Sequence, residues 1–174
     1  MTASQLRVSW DEYHRSIELL ALKIHDSGWR FDQILCLARG GLRIGDVFSR
    51  VFQVPLAILS TSSYREEAGT VQGQLSIGIH LTQLSESISG KLLVVDDLVD
   101  TGLTFTEVEA WLRSRFDTLQ EIRTAVIWYK PSSQFQPDYF LETVDSATWI
   151  QQPFEAYDAI SIEDLRSGSN SVRT

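Results

Sequence analysis

The sequence predicts an α/β protein with a mostly parallel sheet flanked by helices. Three observations point there. Apolar runs of strand length recur along the chain, QILCLA at 33–38, PLAILS at 55–60, KLLVVD at 91–96 and IRTAVIWY at 122–129. Amphipathic segments of helical spacing lie between most of them. The runs are near-continuously hydrophobic rather than alternating, as strands covered on both faces must be. One domain spanning residues 1–174 is expected, with no repeat and no linker to divide it.

Taken in order, Ser9 and Glu12 form a capping-box pattern ahead of IELLALKI, so a helix is expected over about 10–27, ending near Gly28. QILCLA then makes a strand, Arg39-Gly40-Gly41 a turn, LRIGDVFSRVF a helix and PLAILS a second strand. KLLVVD is the third strand, TFTEVEAWLRSRF the next helix and IRTAVIWY the fourth strand. The span from about 61 to 90 breaks this rhythm. It is rich in Ser, Thr, Gly and Gln, and a segment of that length is more often a lid or hairpin than a plain connector. Alternation in VQGQLSIGIH suggests strand pairing within it. The last residues, SGSNSVRT, read as a frayed tail.

Charge and composition exclude several function classes. A net charge of -8 disfavours non-specific attraction to nucleic acid or to an anionic membrane, so an anionic ligand must be met by local groups. The single cysteine, Cys36, sits inside an apolar run and reads as a buried structural thiol. No run approaches the roughly 20 apolar residues of a membrane span, and the N-terminal residues lack an apolar signal region. A soluble, cytoplasmic protein without an integral membrane segment is the expectation.

Two turns carry the chemistry. In LARGGLRIG, residues 37–45, a strand runs into Arg39, Gly40 and Gly41 and then into a helix. Glycine there lets backbone amides approach a ligand, and Arg39 adds a planar cation suited to phosphate oxygens. Read alone, glycine after a strand equally marks a tight turn. In LLVVDDLVDTGLTF, residues 92–105, three carboxylates fall within five positions: Asp96, Asp97 and Asp100. The segment Asp100-Thr101-Gly102-Leu103-Thr104 offers two hydroxyls and a helix start, a small anion cradle. Asp96 and Asp97 are acceptors that could hold a sugar diol or organise a hard divalent cation through water. Asp100 alone could be a helix N-cap, but adjacent acids directly after a buried strand have no capping role. Phosphate, diol, metal and a second phosphate together describe a phosphorylated ribose carrying a pyrophosphate chelated to magnesium. Outside these turns, Trp149 and Ile150 in isolation read as core, and Lys130 before Pro131 as a solvated strand end.

The joint order of these pieces resembles the type I phosphoribosyltransferases over nearly the whole chain, and most closely the bacterial xanthine-guanine enzymes and related hypoxanthine enzymes. The resemblance rests on VVDDLVDTGLT, together with RVSWDE near the start, ARGGL at 38–42, SSY at 62–64, KP at 130–131, PDY at 137–139 and TWIQQPFE at 148–155. It implies the type I phosphoribosyltransferase fold with a flexible lid over about 61–90 and a small C-terminal hood drawn from about 131–160. It also implies a pentosyltransferase of purine salvage that joins guanine, xanthine or hypoxanthine to 5-phosphoribosyl 1-diphosphate, with Mg²⁺ as cofactor. A homo-oligomer, dimer or tetramer, is implied as well.

Residue by residue, the resemblance puts Arg39 and Gly40 in the pyrophosphate loop, with a cis peptide between Ala38 and Arg39. Asp96 and Asp97 face the ribose hydroxyls, and Asp97 organises Mg²⁺. The run Leu98, Val99, Asp100, Thr101, Gly102, Leu103 and Thr104 belongs to the phosphoribosyl diphosphate site, its 100–104 part wrapping the 5′-phosphate. Asp100 is the catalytic group, near purine N7. Lys130 donates to the 6-oxo group, Trp149 stacks on the ring and the Ile150 backbone reads the 2-position.

The chain departs from that pattern in its lid, where Arg65 is the sole Arg or Lys between 61 and 90 and is followed by Glu66 and Glu67. Arg65 is therefore the expected lid contact to pyrophosphate. Phe154 stands where relatives often carry tryptophan, and the chain after Tyr157 does not follow theirs. The poorly basic lid motivates a second reading, a non-catalytic or weakly catalytic regulator sensing phosphoribosyl diphosphate or nucleotides on the same fold. A phosphatase or phospho-accepting receiver domain would not explain D-T-G-L-T or R-G-G.

Overall fold

A computed structural model describes residues 4–63, 75–82 and 87–167. The first helix, α1 (Trp10–Asp26), starts where the capping box places it. The Glu12 amide donates to Ser9 Oγ at 3.3 Å, and the Ser9 amide donates to Glu12 Oε2 at 2.8 Å. Its buried face is Tyr13, Ile17, Leu20, Ala21 and Ile24, a helical stripe turned to the sheet.

Among the described residues the main sheet has seven strands. They are β2 (Gln33–Ala38), β3 (Leu56–Ser63), β4 (Leu75–Thr82), β5 (Gly90–Val95), β6 (Leu98–Val99), β7 (Leu119–Tyr129) and β8 (Tyr139–Thr143). From one edge the order runs β4-β3-β2-β5-β7, with β5 and β6 on one side of β7 and β8 on the other. All pairings are parallel except β3 with β4, an antiparallel pair that reaches into the span expected to be a lid. The expected strand pairing there is present, and β3 runs three residues beyond PLAILS into the span.

Side chains alternate across the sheet, which builds two cores. Ile34, Cys36, Leu93, Val95, Ala125 and Ile127 pack under α1 and α2 (Leu42–Phe52). Leu35, Leu37, Leu92, Val94 and Val126 pack under α3 (Leu103–Arg115), with Phe105, Val108 and Leu112 from the helix. In PDY, Asp138 is structural, since the Thr124 amide and hydroxyl both donate to its carboxylate, at 2.8 and 2.9 Å, tying β8 to β7.

Sequence patterning did not reveal a second, two-stranded sheet. Here β1 (Gln5–Arg7) runs parallel to β9 (Trp149–Gln151), joining both ends of the chain in the hood. After β9 come a 3-10 turn (Glu155–Ala159) and a short helix, α4 (Ile162–Ser167). No helix among the described residues is long and apolar enough to cross a membrane.

Candidate active site

Parallel strands that leave the sheet together bring their following turns to one edge, and β2, β5 and β7 are neighbours. After β2 comes Arg39-Gly40-Gly41, entered through a cis peptide between Ala38 and Arg39, where the resemblance placed it. Gly40 passes so close to the next turn that a Cβ there would lie 2.6 Å from Asp96 Oδ1 and from Asp97 Cγ and Oδ1. Only a residue without a side chain fits. The tight-turn alternative is thus too small an account, because the glycine is shaped to the acids opposite.

The acids themselves come from an interruption in a strand. Val95 lies opposite Ala125 and Leu98 opposite Trp128, so β5 and β6 keep one register along β7 and Asp96-Asp97 is the break between them. The Asp97 carbonyl accepts from the amides of Ile127 and Trp128, both at 3.1 Å, which frees the two carboxylates to face Gly40. The Asp97 amide donates to Asp96 Oδ1 at 2.9 Å. Burial, and then the charge of Asp97, push the Asp96 carboxyl well above the usual carboxylate range. Asp97 is also raised by burial, and a hydrogen bond from Gln152 pulls against that rise. Two crowded carboxylates with raised proton affinity fit a hard cation, whose charge would offset both desolvation and mutual repulsion. The described residues hold no ready-made cluster of three or more metal-ligating side chains. A magnesium site built from one or two carboxylates is completed by substrate phosphates, so this donor set suits an ion arriving with its ligand.

After β6 the chain reaches Asp100, whose side chain is 51% exposed, and it is no N-cap. The N-cap of α3 is Gly102, at φ 85° with no side-chain cap and no acid in the first turn. Thr101 Oγ1 accepts from the Leu103 amide at 3.4 Å, and the Gly102 carbonyl accepts from Thr106. The helix start at Thr101–Thr104 therefore faces outward with free donor capacity, as an anion cradle requires. Val99 is buried and its carbonyl accepts from the Lys130 amide at 3.0 Å, so the Leu98–Val99 pair anchors the turn to β7.

Lys130 corrects the solvated-strand-end alternative. It is 7% exposed at the end of β7, and its Nζ lies 3.2 Å from Asp100 Oδ1. Trp149 is equally not core. It stands 53% exposed on β9 with no ring partner among the described residues, while Ile150 beside it is buried. Arg39 is exposed, with Asp158 of the 3-10 turn 3.5 Å away. Arg65 lies outside the described residues, as do residues 64–74 and 83–86 of the expected lid.

Several residues of the site take roles that the sequence reading did not give them. Gln152 Nε2 donates to Asp97 Oδ2 at 2.6 Å, bringing the hood onto the acidic turn. Arg43 lies over the Phe154 ring at 4.2 Å and the Trp10 ring at 5.5 Å, clamping the hood to α2 and α1. Tyr13 is fully buried with its Oη unpartnered among the described residues, and burial, then the charge of Asp97, push its phenol strongly upward. A polar atom on an otherwise apolar helix stripe was the one trace of it in the sequence.

Comparison with known proteins agrees with this geometry. A purine phosphoribosyltransferase from Pyrococcus horikoshii superposes with a TM-score of 0.72 at 25% identity, covering 91% of this chain and 98% of that one. A Helicobacter pylori xanthine-guanine-hypoxanthine phosphoribosyltransferase gives 0.73 at 21% identity, covering 94% and 99%. A hypothetical protein from Neisseria gonorrhoeae with bound ppGpp gives 0.70 at 21%, covering 99% of each chain. The model of the phosphoribosyl transferase domain matches residues 9–159. With its cis-linked glycine turn facing paired aspartates at one edge of a mostly parallel sheet, the chain belongs to the type I phosphoribosyltransferase family.

Proposed function

We propose that the protein transfers the 5-phosphoribosyl group of 5-phosphoribosyl 1-diphosphate to a 6-oxopurine, guanine, xanthine or hypoxanthine, giving the nucleoside monophosphate and pyrophosphate. The observation that carries this reading is the Lys130–Asp100 pair at 3.2 Å. A buried ammonium has three donors and no acceptor, so it matches a 6-oxo group and opposes a 6-amino group. The carboxylate beside it is exposed enough to accept the ring proton.

In the reaction the bond from ribose C1 to the diphosphate oxygen breaks and a bond from C1 to a purine nitrogen forms. The base reacts as its N7–H tautomer, so N9 is the nitrogen that bonds C1 while the N7 proton passes to Asp100. Positive charge develops on the ribose ring, beside Asp96 and Asp97, while negative charge on the leaving group meets Arg39 and the amides around Gly40. Thr101–Thr104 wraps the 5′-phosphate, Trp149 stacks on the base and the Ile150 backbone reads its 2-position. Asp97 is the residue to organise Mg²⁺, which when bound supplies charge to the diphosphate. Arg65 closes the lid over pyrophosphate. The protein works as a homo-oligomer, a point for light scattering to check.

A second reading has its own support. The site's exposed arginine faces an acid of its own chain, Asp158, and the Neisseria neighbour holds ppGpp. A regulator would bind a guanine nucleotide or phosphoribosyl diphosphate without turnover. Chromatographic assay of monophosphate formation from each base, with phosphoribosyl diphosphate and Mg²⁺, decides. Product from an oxopurine supports the enzyme, product from adenine alone overturns it, and ligand binding with no product favours the regulator.

A further inference from the structure

Gln152 sits where the two halves of the site meet. It follows β9, the strand carrying Trp149 and Ile150, and it is 7% exposed. Its backbone is held by the turn it opens, since its carbonyl accepts from the Glu155 amide at 3.1 Å. Two residues on, Phe154 is fixed beneath Arg43 and packs edge-on against Tyr13 at 5.6 Å between ring centroids. The side-chain amide is thus delivered in one direction, and its Nε2 reaches Asp97 Oδ2 at 2.6 Å. The other end, Oε1, is buried with no partner among the described residues.

That orphan atom argues against a packing role. An unpaired buried acceptor is a cost that an apolar side chain of the same length would avoid, so the amide is retained for its donor. Asp97 is anchored through its backbone by Ile127 and Trp128, which leaves the carboxylate's direction to side-chain partners.

We propose that Gln152 is a positioning residue, which aims the Asp97 carboxylate at the sugar-diphosphate from the base-binding hood. The positioning role rests on the transferase reading above, whereas the bond itself does not.

Two variants separate this role from a structural one. Gln152→Met keeps length and bulk but lacks the donor, and Gln152→Glu places a carboxylate against Asp97. With Gln152→Met the KM and the calorimetric Kd for phosphoribosyl diphosphate with Mg²⁺ are expected to rise about tenfold or more. The KM for the base should stay within about twofold. Gln152→Glu should be worse, and partly rescued by excess Mg²⁺. Unchanged affinity for phosphoribosyl diphosphate, or equal losses for both substrates, overturns the proposal. In the ligand-free protein, melting of Gln152→Met, Asp97→Asn and the double variant should be non-additive. Additive shifts overturn the bond whatever the activity. A wild-type protein that neither binds nor turns over phosphoribosyl diphosphate defeats the functional reading, and with it the positioning role, while the melting cycle still judges the bond.

Discussion

Lys130 Nζ lies 3.2 Å from Asp100 Oδ1, with the lysine buried at the end of a core strand and the aspartate half-exposed at the entrance to a helix. The asymmetry divides labour. A buried cation is aimed and keeps its place, while an exposed anion can accept a proton from a ligand. Lys130→Met should therefore raise the KM for oxopurines by about 10-fold to 100-fold, the loss of a charged hydrogen bond, with the KM for phosphoribosyl diphosphate little changed. Adenine should be a poor substrate of the wild type. Steady-state kinetics with both bases checks this, and efficient adenine turnover would contradict it.

Asp100 and Asp97 should separate kinetically. Asp100→Asn removes the proton acceptor and should lower kcat by about 10² to 10⁴. Asp97→Asn should instead weaken the sugar-diphosphate and raise the magnesium requirement. Titrating Mg²⁺ for each variant distinguishes them, and matching profiles would mean the roles are misassigned.

Gly40→Ala should inactivate the site without unfolding the chain. The added methyl would meet Asp96 Oδ1 and Asp97 Cγ and Oδ1 at 2.6 Å, so the turn or the carboxylates must shift. A displacement of about 1 Å can cost about 10²-fold in rate. Normal activity in a variant of native circular dichroism would show that the close approach is unimportant.

Asp96 should trade stability for function. Its pKa is raised in the fold by burial and by Asp97, so the folded state holds a proton that the unfolded chain releases at about pH 3.9. The sign follows: this group favours folding at low pH, and stability falls as pH rises from the ordinary carboxylate range through the raised value. Asp96→Asn should melt about 2–4 °C higher at neutral pH without ligand, and the gap should close towards pH 4. A variant that melts lower at neutral pH would refute this.

Cys36 should be inert in the native protein. It is fully buried on β2, and burial, then the charge of Asp96, push its thiol up to about 12. A thiol held protonated contributes stability below the unfolded value of about 8.5, lost as pH rises towards 12. Reaction with a thiol reagent at pH 8 should track unfolding, and rapid labelling of the native chain would show local opening.

Four strands of the sheet were legible because a doubly covered strand must be apolar along nearly all its length, as QILCLA and KLLVVD are, whereas the short β6 and β8 were not read; α1 was legible because Ser9 and Glu12 satisfy helix amides that nothing else would. Local chemistry also marked Asp96-Asp97 and the glycine turn, since neither crowded carboxylates nor a side-chain-free turn has a packing purpose. Strand pairing at β1 and β9 was not legible. Three residues carry no period, and the partners stand at opposite ends of the chain.

Which turns face one another was likewise a tertiary matter. Sequence spacing encodes which face a residue turns, but not which distant backbone arrives opposite it. Lys130 reads as a solvated strand end until β7 is seen to end beside Asp100. Gln151 and Gln152 read alike until one proves half-buried in a hood strand and the other buried against a carboxylate 55 residues earlier. That contact exists because Phe154, Arg43 and Trp10, from three separate elements, pack the hood down onto the sheet edge.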